Sequence, residues 1–543
     1  MEPTRRNPWL WVPSLYFSQG VPYVIVMTMS VIMYKRLGVS NTDIALYTSW
    51  LYLPWVLKPL WSPFVDIRRT KRFWVVAMQF VISGALACVA LAIPGTAFFK
   101  ASLLVFWVMA FASSTHDIAA DGFYMLSMSK HEQVLWVGLR STFYRTAMIV
   151  GSGLLVVLAG TLESKNGLAP ARVLVTAGAA PAAPASTAAS QIIVQPPALA
   201  IPFASNGTFF VTLAQPPSQG RTIVVHLDRE KSGLEYLGLA KGDKGFRLTS
   251  GDRLVFNDTN WNHPAPVVIQ LDSNLKQAAS VVFVASSGNV PLAWSITLAT
   301  VAGLFFLFSL WHALVLPRPP ADGPVVTGRS LTADFFGALG SFFQKPGIGL
   351  ALAFILLYRF DEAQLTKVIS PFLLDSRAKG GLALTTTQVG LAYGTFGIAA
   401  LTCGGLLGGF LAAKFGLKKM LPIMVCSMYL PKLAFVFLGF DQPENFLVVC
   451  ATVAVEQFGY GFGFTAFMLY MLYFADGPHR TAHYAICTGF MALGMMIPGM
   501  WSGWLADHLG YKHFFLWVIC AALPGFLLAL QLKIDPHFGK KTS

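Results

Sequence analysis

ASLLVFWVMAFASSTHDIAADGFYML (residues 101–126) begins as a helix suited to lipid and ends with His116, Asp117 and Asp121 inside six residues. A helix needs roughly 20 apolar residues to cross the hydrocarbon core. A charged group near its centre costs on the order of 3 kcal/mol on insertion scales, so it faces a cavity or a partner. Twelve runs of this length recur, at 9–33, 44–66, 74–94, 102–127, 138–160, 291–316, 347–373, 387–413, 420–440, 446–474, 484–506 and 512–532. The chain is 55% hydrophobic and only 12% charged, against about 25% charged in soluble globular domains. That balance excludes a soluble fold and predicts an all-α polytopic membrane protein.

The net charge of +14 follows from topology and calls for no nucleic acid. With the N-terminus inside, the connections on the inner side hold seventeen Lys and Arg and the short outer ones six, which places both termini in the cytoplasm. MEPTRRNP precedes the first span without a small-residue cleavage site, the pattern of an uncleaved anchor. All six cysteines fall within spans and none forms a CxxC pair, so they read as small buried residues.

Five regions result: helices 1–5 in 1–160, a β-rich insert at 161–290, helix 6 at 291–316, a Pro/Gly-rich cytoplasmic linker at 317–346, and helices 7–12 in 347–543. The insert opens on the flexible AGAAPAAPASTAAS. GTFFVTLAQ, RTIVVHLD, GFRLTS, DRLVFND, PVVIQLD and SVVFVAS follow, alternating with period two between turn residues, which predicts a small extracytoplasmic β-sandwich. Asp252, Asp258 and Asp272 read as its polar loop residues, with Ca²⁺ binding as the alternative. SPFVDIRRTKR after the second span and GGFLAAKFGLKK after the eighth share a small residue, an apolar spacer and a basic turn. Two six-helix sets of this kind are the organisation of a parallel-repeat transporter.

Gly409, Lys414, Gly416, Lys418 and Lys419 resemble the inner-loop signature of the major facilitator superfamily, with Asp66 and Arg68 in the degenerate first copy. VLKPLWSPFVD (56–66), SSTHDIAADGFYML (113–126), FYRTAMIVGSGL (143–154) and LYRFDEA (357–363) resemble the muropeptide permeases of the AmpG type. The resemblance covers all twelve helices and not the insert. It implies a proton-driven importer in the bacterial inner membrane that carries N-acetylglucosaminyl-anhydro-N-acetylmuramyl peptides from periplasm to cytoplasm for peptidoglycan recycling. It implies gating by Asp66, Arg68, Gly409, Lys414 and Gly416. The proton gradient serves in place of a cofactor.

Asp117 and Asp121, four apart, share one helix face. Arg145 on the antiparallel fifth span reaches the same depth and can pair with either. These groups with Arg140 form either a static network or a proton-transfer site. Asp361, Glu362 and Glu456 are further proton-coupling candidates; Arg359 and Glu362, three apart, can instead pair with each other. Lys58, His116, Arg145, Arg359, Gln19, Tyr16, Tyr358 and Gln457 are candidates to contact an anionic glycopeptide, and Trp11, Trp50, Trp55 and Trp61 to stack on sugars or sit at the interface. GYGFGF (459–464) lacks the preceding strand of a dinucleotide loop and suits close helix packing. No catalytic nucleophile, metal set or Walker A motif is present, which argues against an enzyme. The competing readings are a carrier for another anionic solute (acyl-CoA-like, siderophore or peptide) and a sensor or assembly protein, in which the outer domain binds a periplasmic protein or cell-wall component.

Overall fold

A computed structural model describes residues 6–128, 130–178, 190–217, 223–230, 245–275, 277–320, 322–323, 337, 339–477, 480–536 and 538. Among these, nine helical stretches are long and apolar enough to cross a membrane. The longest, Ala482–Gln531, turns back at Gly510, whose φ of 70° suits glycine, and so makes two passes. Two more polar helices, at 41–68 and 348–374, complete the bundle.

We number them α1 (Pro8–Arg36), α2 (41–68), α3 (Lys71–Ala92), α4 (Phe98–Ser127), α5 (130–165), α6 (Val290–Val315), α7 (348–374), α8 (Thr386–Phe415), α9 (Leu417–Asp441), α10 (Phe446–Phe474), α11 (480–509) and α12 (511–531). α1 to α6 form one half of the bundle and α7 to α12 the other. α7 breaks at Tyr358 and Arg359, between Ile348–Leu357 and Phe360–Leu374.

Among the described residues nine strands lie between α5 and α6: β1 (Ala171–Ala177), β2 (Ile192–Gln195), β3 (Ala198–Ile201), β4 (Asn206–Leu213), β5 (Ile223–Arg229), β6 (Phe246–Ser250), β7 (Arg253–Phe256), β8 (Ala265–Leu271) and β9 (Ser280–Ser287), in two sheets of order β3-β1-β9-β5-β7 and β2-β4-β8-β6. Val173, Val175, Phe209, Val211, Val267, Ile269 and Phe283 fill the space between them. Six strands fall on the alternating runs, from β4 (Asn206–Leu213) to β9 (Ser280–Ser287). The sequence reading missed β1 (Ala171–Ala177), β2 (Ile192–Gln195) and β3 (Ala198–Ile201), which flank the Ala/Pro stretch. Most of that stretch, 179–189, and positions 324–336 of the linker lie outside the described residues. Asp272 accepts the Asn274 amide in a turn, and no metal-holding group of His, Cys, Asp or Glu occurs among the described residues.

The halves close on each other at the β-domain end. A Cβ on Gly503 of α11 would stand 1.9 Å from the Asn41 carbonyl of α2, and one on Gly394 of α8 1.9 Å from the Ser152 carbonyl of α5. Only glycine permits such backbone contact. Polar bonds tie the same end: Lys35 to Asp375 at 2.7 Å, and Asn41 and Thr42 to Asp507 at 2.8 and 2.9 Å. Glu163 joins Arg36, Trp294 and, across the halves, Thr386.

Candidate functional site

Polar and aromatic side chains of both halves gather where the halves meet. From one side α1 and α2 bring Tyr23, Tyr52, Trp55 and Lys58, and α4 brings Asp117. Trp55 Nε1 donates to Asp117 Oδ2 at 3.1 Å, Lys58 Nζ stands 3.8 Å from the same oxygen, and Gln19 adjoins it. Tyr23 packs edge-on against Trp55. The break in α7 presents Arg359, which donates to the Tyr460 hydroxyl and lies 4.9 Å from the Phe464 ring centroid. Tyr23 and Tyr52 lie within electrostatic reach of Arg359.

Arg145 stands where α5 meets α8 and α10, beside a cleft of about 270 Å³ lined also by Leu401, Gly405, Tyr460, Phe464 and Thr465. It donates to the Thr402 carbonyl at 3.4 Å. The expected pairing of Arg145 with Asp117 or Asp121 is therefore corrected. Asp121 pairs with Arg140 at 3.1 Å, and Arg140 also lies over the Tyr16 and Tyr124 rings.

A second cluster lies inside the other half. Lys432 Nζ contacts Asp361 at 2.5 Å and Glu362 at 3.1 Å, with all three side chains at most 2% exposed. Glu456 is buried beside them, held by Gln457 Nε2 at 2.8 Å, with Oε1 lacking a hydrogen-bond partner. Glu362 thus pairs with Lys432, not with Arg359, because the break in α7 turns Arg359 toward α10. Gln457 serves Glu456 rather than the cleft.

His116 and Tyr358, read as substrate contacts, are core residues. Gln79 bridges His116 at 3.0 Å and His312 at 2.9 Å, and Ser14 bonds His312 at 2.9 Å, a buried chain through α4, α3, α6 and α1. Tyr358 donates to the Gly463 carbonyl and stacks on Phe467. Tyr16 is buried against Tyr124 and Trp11 against Phe123, Trp50 is exposed, and Trp61 packs on Phe111. Of the gating residues, Arg68 is exposed, Lys414 lies over its neighbour Phe415, Gly409 has nothing within 4 Å of a built Cβ, and Gly416 takes a φ of 86°. The Asp66 side chain lies outside the described residues. Among the described residues no ion pair joins these gate elements, whereas the β-domain end is shut.

Sequence reasoning passed over Lys432, Lys367 and Glu163. Lys367 is 2% exposed, donates to Thr48 across the halves at 2.9 Å, and lies over the Tyr52 ring. Among the described residues, Arg145, Arg359 and Lys367 have no carboxylate within salt-bridge distance. The available signal was a Lys within an apolar span, as in YLPKLAF (429–435).

The Major Facilitator Superfamily model matches residues 360–543, the BT1 family model matches 19–182, and the fold agrees over nearly the whole chain with solved carriers. Each model covers about a third of the chain, which is similar to the Major Facilitator Superfamily over its C-terminal part and to the BT1 family over its N-terminal part. A single-site mutant of the nucleoside transporter NupG superposes over 97% of this chain and 100% of its own at a TM-score of 0.59 and 12% identity. Among curated relatives, an AmpG 2 transporter of Rickettsia typhi is 27% identical over 36% of this chain and 47% of its own length. The anhydromuropeptide permease of Escherichia coli is 25% identical over 40% and 43%. The chain thus spans about half the length of the curated relatives it matches, and its similarity runs to AmpG-type permeases.

Proposed function

We propose that the protein is a secondary carrier that moves anionic cell-wall turnover glycopeptides, N-acetylglucosaminyl-anhydro-N-acetylmuramyl peptides, from periplasm to cytoplasm in symport with protons. The observation that carries this reading is the set of cations at the contact of the two halves, Arg145, Arg359 and Lys367, which have no carboxylate within salt-bridge distance among the described residues. A cation facing an apolar interior without a counter-charge is costly, and a solute bearing carboxylates supplies the missing partner. Tyr23, Tyr52, Trp55 and Tyr460 offer ring faces and hydroxyls to sugars beside it. The names of the AmpG-type relatives agree with such a solute.

Proton coupling rests on charge count. Asp361, Glu362 and Glu456 surround a single ammonium, so removing a proton from the cluster adds a negative charge where water does not screen it. Asp117 and Asp121 offer a second exchange point, nearer the open end. With that end cytoplasmic and the β-domain periplasmic, the conformation is inward-facing.

The test is uptake of labelled anhydromuropeptide into liposomes containing the purified protein. Accumulation with acid outside, abolished by a protonophore, is expected. Absence of uptake overturns the solute assignment, and uptake indifferent to the gradient overturns the coupling.

A further inference from the structure

We propose that the seam between α1 and α6, at the end of the bundle away from the β-domain, binds an anionic phospholipid. Its phosphate lies on Arg6, Arg72 and Arg318, and an acyl chain fills the adjoining groove.

The groove, about 640 Å³, is lined almost wholly by apolar side chains, among them Trp9, Leu304, Leu307, Phe308, Trp311 and Leu314. Leu307 and Leu314 are 62% and 71% exposed, so no described residue covers them. Trp311 Nε1 donates to the Leu10 carbonyl at 3.0 Å, which fixes the two walls to each other. The cavity is therefore a formed trough and not a gap between loose helices.

At its mouth, Arg72 stands within electrostatic reach of both Arg6 and Arg318. Arg6 donates to the Leu314 carbonyl, and Arg72 to those of Ala313 and Leu316. These bonds cap the last turn of α6, yet each guanidinium has five N–H donors and keeps its charge. Among the described residues the nearby acid is Asp322, and its oxygens already accept the Lys71 and Arg72 amides at 2.6 and 3.0 Å. Three like charges held together at the rim of an apolar trough call for an anion with a hydrocarbon tail. A bilayer lipid with a phosphate and no compensating choline supplies both.

Native mass spectrometry of the full chain in detergent, titrated with phosphatidylglycerol and with phosphatidylcholine of the same acyl chains, reads the site. One phosphatidylglycerol retained at least about tenfold more strongly than phosphatidylcholine is expected, since each 1.4 kcal/mol is tenfold in affinity. Arg318→Gln, at an exposed side chain, and Leu307→Trp, which fills the trough, each reduce that retention; Arg6→Gln with Arg318→Gln abolishes it. Equal retention of the two lipids overturns the proposal, as does retention unchanged in both single variants. Displacement of the lipid by glycerol phosphate at equal concentration overturns the acyl-chain part.

Discussion

Lys432 holds two acids at once in a setting without water, and its removal strands both. Breaking a buried ion pair from one side costs on the order of 3–5 kcal/mol. Lys432→Met is therefore expected to lower the thermal midpoint of the purified protein sharply, and adding Asp361→Asn to recover part of the loss. A midpoint unchanged in Lys432→Met would show that the ammonium does not hold these carboxylates. In the other half, Asp117 touches Trp55 and Lys58 directly. Asp117→Asn is expected to reduce gradient-driven accumulation by at least about tenfold while solute exchange without a gradient persists. Unaltered accumulation would remove Asp117 from the coupling. The intramembrane acids were visible in the sequence because each interrupts an apolar run. Their partners were not. Spacing along one helix offered Arg359 to Glu362, but the break in α7 turns Arg359 away and a different helix supplies Lys432. His116 looked available for the same reason, and only the folded chain brings Gln79 and His312 to it.

Among the elements, the contacts α2–α11 and α5–α8 decide which end is shut. Side chains at Gly503 and Gly394 would collide with backbone, and backbone cannot move aside cheaply. Gly503→Leu and Gly394→Leu are expected to hold the β-domain end open. Spin labels across α2 and α11 would report longer distances, with solute transport lost. Distances equal to those of the parent protein would contradict the closure described. Within the β-domain, burial, with the charges of Arg36 and Arg253 nearby, pushes the His226 imidazole down to about 3. The folded imidazole then stays neutral where the unfolded one, ordinarily near 6.5, takes up a proton. Stability is fully present above about pH 6.5 and is lost as pH falls toward 3. Hydrogen exchange of β5 (Ile223–Arg229) should quicken over this range, and His226→Gln should weaken the dependence. The period-two runs disclosed six strands. β1 to β3 escaped because Ala and Pro around them mask alternation, and β1 is fixed by its long-range pairing with β9.

At the scale of the molecule, the β-domain enters and leaves through one narrow neck. A Cβ on Gly167 would stand 1.6 Å from the Ser287 carbonyl, and Gly288 adjoins Glu163. Both ends belong to the same half, so the domain travels with that half. Replacing 165–288 by a short Gly/Ser link is expected to keep transport within about threefold, because loop closure over a short gap costs little. Abolished transport in a folded deletion would assign the domain an obligatory step. The twelve helices and their division were legible because lipid demands long apolar runs. Which end is shut was not, since it depends on contacts between distant segments. The claim that the halves must part at the β-domain end is tested most directly by cross-linking them. In a protein freed of its native cysteines, a disulfide between Thr42→Cys and Asp507→Cys, where the native side chains meet at 2.9 Å, is predicted to stop solute uptake and a reductant to restore it. Uptake at the full rate with the disulfide intact would contradict the account.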